Sequence, residues 1–289
     1  MTSSNKIVLI TGASRGLGRG MARQFGRLGA AVYVTARRAE GLADTVSDIE
    51  QAGGKAIAIA VDHRDEEQVA ALVKRIEDEH GRLDILVNNA AAVHRELSQP
   101  GPFWEKPLHL GEMIDVGLRS NYTMSYFAAP LLIKSAGSLI VNISFYGAAT
   151  YFHGPAYGAA KAGTDKLSFD MAVDFRPHNV ACVSLWPGFI LTDQLAQFVK
   201  SMPSEAIPAY LAEYLPLFEH PEFSALVVDA LHNDRNMMAY SGQSLIGAEL
   251  GMHYGISDIN SKHPPSYRDA MGSPLVFVPP HAGQPMSDH

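Results

Sequence analysis

Ile7-Val8-Leu9-Ile10-Thr11-Gly12-Ala13-Ser14-Arg15-Gly16-Leu17-Gly18 decides the fold of this chain. Four consecutive apolar residues closed by Thr11-Gly12 read as a short buried strand, and Leu17, Met21, Phe25 and Leu28 then recur at helical spacing. Glycines at 12, 16 and 18 permit a tight turn and let main-chain N–H groups approach a ligand, while the helix N-terminus adds partial positive charge. Gly12, Ser14, Arg15, Gly16, Leu17 and Gly18 are therefore candidates for holding a dinucleotide pyrophosphate. The spacing is G-x-x-x-G-x-G, neither the G-x-G-x-x-G fingerprint nor a Walker sequence. An ordinary glycine-rich turn is the plainer alternative. Three glycines at fixed spacing between a strand and a helix favour the cofactor.

Outward from this turn the hydrophobic period keeps alternating. Strand-like runs fall at 31–35, 56–61, 83–87, 138–143, 180–186 and 244–246. Val69, Leu72, Val73 and Ile76 mark a helix stopped by His80-Gly81, and further helices are expected over 157–175 and 221–232. Short apolar strands alternating with helices predict an α/β fold, a doubly wound, Rossmann-type parallel sheet with helices on both faces. There is no repeat and no dividing linker, so residues 1–260 are expected to form a single catalytic domain. Segment 193–220 breaks the alternation with Phe198, Met202, Tyr210, Leu211, Tyr214, Leu215 and Phe218. Residues 261–289 form a proline-rich C-terminal extension. Within it Leu275-Val276-Phe277-Val278 is expected to add a strand, cross a subunit boundary or stay loose.

Composition narrows the partners. The 289 residues carry 30 acidic and 23 basic side chains, a formal charge of −7. That balance disfavours nucleic acid and anionic membranes. The lone Cys182 excludes disulfide frameworks and cysteine-based zinc sites, and no H-E-x-x-H occurs among twelve histidines, so no metal is expected. His153 stands out only as a polar pocket residue. The N-terminal apolar run is too short for a signal peptide and no run is long enough to span a bilayer, so a cytoplasmic chain without a membrane segment is expected.

Other strand ends carry candidate ligand-binding residues. The second strand ends Thr35-Ala36-Arg37-Arg38, with arginine where an acidic residue would take the ribose hydroxyls of NAD. Arg37, helped by Arg15, suits the 2′-phosphate of NADP(H), which is therefore expected in preference to NAD(H). Asp62-His63 and Asn88-Asn89-Ala90 follow the third and fourth strands, where doubly wound sheets bind ligands; Asp62, His63, Asn89 and Ala90 are expected on the adenine side.

Tyr157-Gly158-Ala159-Ala160-Lys161 sets a phenol and an ammonium on one helical face. A nearby cation favours phenolate, and such a tyrosine can protonate a forming alkoxide or deprotonate an alcohol. Ser144, at the end of the preceding strand, is placed to hydrogen-bond the same oxygen.

Together these residues resemble the short-chain dehydrogenase/reductase family over about residues 5–255. The matching pieces are Thr11-Gly12-x-x-x-Gly16-x-Gly18, Asn88-Asn89-Ala90, Ser144, Tyr157-x-x-x-Lys161 and Pro187-Gly188-x-x-x-Thr192. The resemblance implies Tyr157 as acid/base, Ser144 as carbonyl polariser and Lys161 as ribose ligand that lowers the tyrosine pKa. Pro187, Gly188, Ile190 and Thr192 lie in the motif facing the nicotinamide, the last two holding its carboxamide. Homodimers or homotetramers paired through the helix of Tyr157 are also implied. Two departures stand out. Ala91 replaces the glycine of Asn-Asn-Ala-Gly, and Gly117 stands where a helix asparagine usually holds a water in the proton relay. Asn121 lies one turn on in a different register, so direct solvent is the expected proton source. Phe103-Trp104-Glu105, Val116-Gly117-Leu118-Arg119 and Val183-Ser184-Leu185-Trp186-Pro187-Gly188 are similar to the member 1 subgroup, which implies NADPH-dependent reduction of steroid-like or xenobiotic ketones.

The segment after Thr192 and the run Tyr146, Tyr151, Phe152 and His153 read as opposite walls for a bulky, mostly apolar carbonyl substrate. A 3-oxoacyl thioester ketoreductase is the enzyme alternative, disfavoured because an acidic chain docks poorly with an acidic carrier. A cofactor-binding sensor or scaffold with little turnover is the alternative from another class.

Overall fold

The computed structural model describes residues 6–135, 137–203 and 213–278. Strand β1 (Ile7–Ile10) passes through the glycine turn into α1 (Gly16–Arg27), followed by β2 (Ala31–Ala36), α2 (Ala43–Gln51), β3 (Lys55–Ala60), α3 (Glu66–His80) and β4 (Ile85–Asn88). After a long connection come α4 (Ser120–Lys134), β5 (Leu139–Ile143), α5 (Pro155–Phe175), β6 (Ala181–Trp186), α6 (Asp193–Ser201), α7 (Pro221–Asn233), β7 (Ser244–Ile246) and α8 (Gly247–His253). Among the described residues seven strands form one sheet in the order β3-β2-β1-β4-β5-β6-β7, with every pair parallel. The doubly wound expectation holds, with the strand order reversing between β1 and β4.

The apolar runs make this sheet central. β1, β4, β5 and β6 are buried along their whole length, whereas β3, at the edge, buries only Ile57. One face packs Val8, Ile10, Phe25 and Phe223 together; the other packs Leu9, Ile76, Leu131 and Cys182. Local signals set the helix ends. Asp65 caps α3 by accepting the N–H groups of Glu67 and Gln68, and Gly81 ends it at φ 67°. α5 starts at Pro155, ahead of Tyr157, because proline is preorganised for the first helical turn.

The two irregular segments divide differently. Thr192 caps α6 by accepting the Leu195 N–H, and a short turn follows at Leu215–Leu217; Tyr210 and Leu211 lie outside the described residues. In the C-terminal extension, residues 275–278 form no strand. Phe277 instead rests on Phe169 of α5, with 5.3 Å between ring centroids, and leaves Leu275, Val276 and Val278 exposed. Among the described residues no helix is long and apolar enough to cross a membrane.

Packing of α1 on α7 depends on a missing side chain. A methyl at Gly20 would lie 2.4 Å from Cβ and Cγ of Pro221. Alanine normally favours a helix by about 1 kcal/mol over glycine, but overpacking costs about 1–3 kcal/mol. Gly20→Ala should therefore lower unfolding free energy by up to about 2 kcal/mol in urea titrations; higher stability would contradict this packing.

Candidate active site

At the switch point the turn after β1 meets the end of β4. Gly12 has φ +66°, and a methyl there would come within 2.8 Å of Ala90 Cα; one at Gly18 would fall 2.5 Å from Asn89 Nδ2. α1 is preceded by Arg15, whose backbone is extended, with no side-chain cap and no acid in the first turn. Its leading N–H groups and positive helix end therefore face the crevice unopposed by protein carboxylates. Such a cradle fits a diphosphate.

Around it stand the other predicted residues. Ser14 and Leu17 are half-buried in the turn, while Arg15, Arg37 and Arg38 are exposed. Asp62 pairs with Arg64 (Oδ2–Nη2 2.7 Å), an engagement that its sequence position did not suggest. The Arg64 hydrogen bond holds this carboxyl below the ordinary range, with Arg37 contributing further. His63 is buried, its Nε2 2.7 Å from Thr35 Oγ1, which also accepts the Gly12 N–H at 3.4 Å. Burial lowers His63 to about 4, so the ring is neutral near pH 7.

Ser144 follows β5 directly and donates to the Lys161 carbonyl at 3.1 Å. Tyr157 and Lys161, one turn apart on α5, both turn toward the sheet and are buried. Gly147 lies against the phenol ring, where a methyl would approach Tyr157 Cε1 to 2.6 Å. Among the described residues the Tyr157 hydroxyl has no hydrogen-bond partner, which leaves it available to an incoming oxygen. Lys161 Nζ is 5.6 Å from the Tyr157 ring centroid and donates to the Ile143 carbonyl at 2.9 Å. The expected lowering of the tyrosine is not seen in this state. Burial pushes Tyr157 up, and burial also brings Lys161 down to about 8, partly opposed by Asp165. Tyr157 is thus held as an acid.

Asp165 was not anticipated, although Lys161-x-x-x-Asp165 is a visible one-turn pair. Its buried carboxylate accepts from Ser184 Oγ at 2.6 Å and Trp186 Nε1 at 3.0 Å, tying α5 to β6. Burial raises its pKa, with those two bonds opposing.

The missing helix asparagine has a backbone cause. The chain breaks at Val116 (φ −114°, ψ 92°) and Gly117 (φ 146°, ψ −27°), so position 117 is not helical and adopts a φ that L side chains rarely take. The Gly117 carbonyl is satisfied internally by Asn121 Nδ2 (2.8 Å) and Thr164 Oγ1 (3.1 Å).

Residues 187–192 close the other side. The Gly188 N–H donates to buried Glu219 at 3.1 Å, and Leu191 N–H donates to the Glu219 carbonyl at 2.8 Å. Burial raises the Glu219 carboxyl to about 8, with the Gly188 bond opposing. Ile190 pairs with Glu219 in a bridge, and a methyl at Gly16 would lie 3.7 Å from Thr192 Cγ2, so this strap returns over the glycine turn. Phe189 packs on Phe218, Phe152 and Phe145, and Tyr267 from the C-terminal extension joins it edge-on at 5.0 Å. Tyr267 also donates its N–H to the Tyr146 hydroxyl at 3.0 Å. Phe152 and His153 border Tyr157, whereas Tyr151 is exposed.

The sequence pattern described as short chain dehydrogenase matches residues 6–203. The chain is 35% identical over 263 residues to the mouse protein named dehydrogenase/reductase SDR family member 1, covering 89% of this chain and 84% of that protein. It is also 35% identical over 266 residues to the human protein of the same name, covering 90% and 85%. The crystal structure of a putative short-chain alcohol dehydrogenase from Sinorhizobium meliloti superposes with TM-score 0.68 at 27% identity, covering 84% of this chain and 95% of that one.

The buried lysine has a stability signature. Its folded value of about 8 lies below the ordinary 10.5, so the folded state releases this proton first as pH rises. The cost of burying the ammonium is complete below pH 8 and disappears between about 8 and 10.5. Unfolding free energy of wild type minus that of Lys161→Met should rise across this window by about 3 kcal/mol at most. A flat difference in urea titrations at pH 7.5, 9 and 10.5 would contradict the assignment.

Proposed function

The chain belongs to the short-chain dehydrogenase/reductase family, oxidoreductases acting on alcohol and carbonyl groups with NAD(P)(H), and from that premise we propose that it is an NADPH-dependent reductase of bulky, mostly apolar ketones. The observation that carries this reading is the Tyr157 hydroxyl, kept protonated by burial and unpartnered beside a wall of Phe152, Phe189 and Tyr267. A carbonyl oxygen satisfies that hydroxyl, and the aromatic wall suits a large apolar body on either side of it.

Gly12, Ser14, Arg15, Gly16, Leu17 and Gly18 hold the pyrophosphate, and Asp62, His63, Asn89 and Ala90 border the adenosine. Arg37, exposed where an acidic residue would select NAD(H), takes the 2′-phosphate, with Arg15 near it. Pro187, Gly188, Ile190 and Thr192 face the nicotinamide, and Lys161 its ribose. When bound, the nicotinamide supplies the hydride for reduction and accepts it in reverse. Tyr157 donates its phenol proton to the substrate oxygen as the C=O bond becomes C–OH. Ser144 turns its hydroxyl from the Lys161 carbonyl to that same oxygen and supports the developing charge. Lys161 holds positive charge close to the tyrosinate left behind. With Gly117 O engaged by Asn121 and Thr164, reprotonation of Tyr157 comes from solvent directly. Exposed Tyr122, Tyr126 and Val173 on α4 and α5 support self-association as a homodimer or homotetramer.

Tyr157→Phe should leave NADPH binding within a few-fold and lower ketone-dependent NADPH oxidation by about 10²–10⁴; activity surviving the substitution would remove Tyr157 from the mechanism. Arg37→Ala should weaken NADPH about tenfold or more, as loss of a charge-assisted phosphate contact requires. NADH affinity should stay constant. An unchanged NADPH/NADH affinity ratio would remove Arg37 from cofactor selection.

A further inference from the structure

Between β4 and α4 the chain makes short turns at Arg95–Ser98, Phe103–Glu105 and Leu108–Gly111, then the short helical pieces Glu112–Ile114 and Asp115–Arg119. A connection this long with so little regular structure is uncommon in a compact domain unless it is functional or pinned. Two of its turns converge. One potential ligand atom from each of His94, Glu96 and His109 lies within 4.8 Å of the others. The His94 and His109 rings pack edge to face with centroids 4.7 Å apart. The Glu112 carboxylate comes within 3.3 Å of His94 Nε2, yet this nitrogen is buried and has no hydrogen-bond partner. Buried polar atoms are rarely left in that state. Neither Glu96 nor His109 has a side-chain hydrogen bond or ion pair elsewhere among the described residues.

We propose that His94, Glu96 and His109 form a site for one zinc-class divalent ion, with Glu112 beside His94 to fill a fourth position. Two imidazoles and a carboxylate suit borderline zinc better than magnesium or calcium, which take oxygen ligands. Ligand atoms about 3.3–3.6 Å apart serve tetrahedral zinc with bonds near 2.0–2.2 Å. Modest side-chain rotations close the present cluster to that spacing. The ion pins the loop and takes no part in proton or hydride transfer. Ser98, in the same loop, lies 3.5 Å from His153 Nδ1, and His153 packs edge-on against Tyr157, so the pinned segment borders the substrate side of the site.

The test is titration of chelator-treated full-length protein with zinc chloride in competition with a chromogenic chelator, followed by unfolding with and without the ion. Uptake of one zinc per chain is expected, with a raised melting temperature. His109→Ala, at an exposed position, and Glu96→Gln should each weaken zinc roughly tenfold or more while the metal-free proteins unfold like wild type. Absence of stoichiometric uptake would overturn the site and leave only the close approach of His94 and Glu112. Equal uptake by wild type and both variants would place the zinc on other histidines and overturn it equally.

Discussion

Thr11 and Asn89 hold the carboxyl ends of β1 and β4 together, and the rest of the site depends on that contact. Thr11 Oγ1 accepts the main-chain N–H groups of Asn89 and Ala90, both at 2.9 Å. Asn89 Nδ2 returns hydrogen bonds to the carbonyls of Thr11 (2.9 Å) and Gly12 (3.1 Å). Drawn this close, the turn has no room for a side chain at Gly12 or Gly18, and α1 is left with its N–H groups aimed at the crevice. The same grip extends across the sheet. Asn88 Nδ2 donates to Asn142 on β5 and to Ser125 on α4, and Asn142 donates to Ser168 on α5. The helix carrying Tyr157 is thereby keyed to the strand that carries the glycine turn. Each buried amide is satisfied, so the network fixes register without leaving an orphaned polar group.

The electrostatics follow from burial more than from pairing. Lys161 is buried, donates to the Ile143 carbonyl and lies one turn from Asp165, and burial weakens its charge. The neighbouring phenol rises for the same reason. In this free state the phenol therefore keeps its proton, and its transfer to a carbonyl oxygen depends on the nearby Lys161 charge offsetting that burial.

The strands, the glycine turn and the one-turn Tyr157–Lys161 pair were legible because each is a local pattern, set by periodicity of two or 3.6 or by a fixed offset. What stayed hidden is held by contacts distant in sequence. Nothing near Lys161 shows that the Ile143 carbonyl engages it, 18 residues away. Glu219 supports Gly188 from 31 residues away. Tyr267 reaches Tyr146 across 121 positions and packs edge-on against Phe189, so a proline-rich stretch that reads as a loose tail is tied into the body of the fold. Gly117 shows the limit of motif reading. Its departure from the family pattern is visible in sequence, but the broken helix that explains it appears only in the backbone angles.

Deuterium transfer tests the central claim most directly. The protein is incubated with NADPH deuterated at the transferable C4 position and a panel of bulky apolar ketones, and the products are read by mass spectrometry. Secondary alcohols carrying one deuterium on the carbinol carbon are expected from the large apolar ketones, formed only with the protein present. Tight NADPH binding with no deuterated alcohol from any ketone of the panel would contradict the claim.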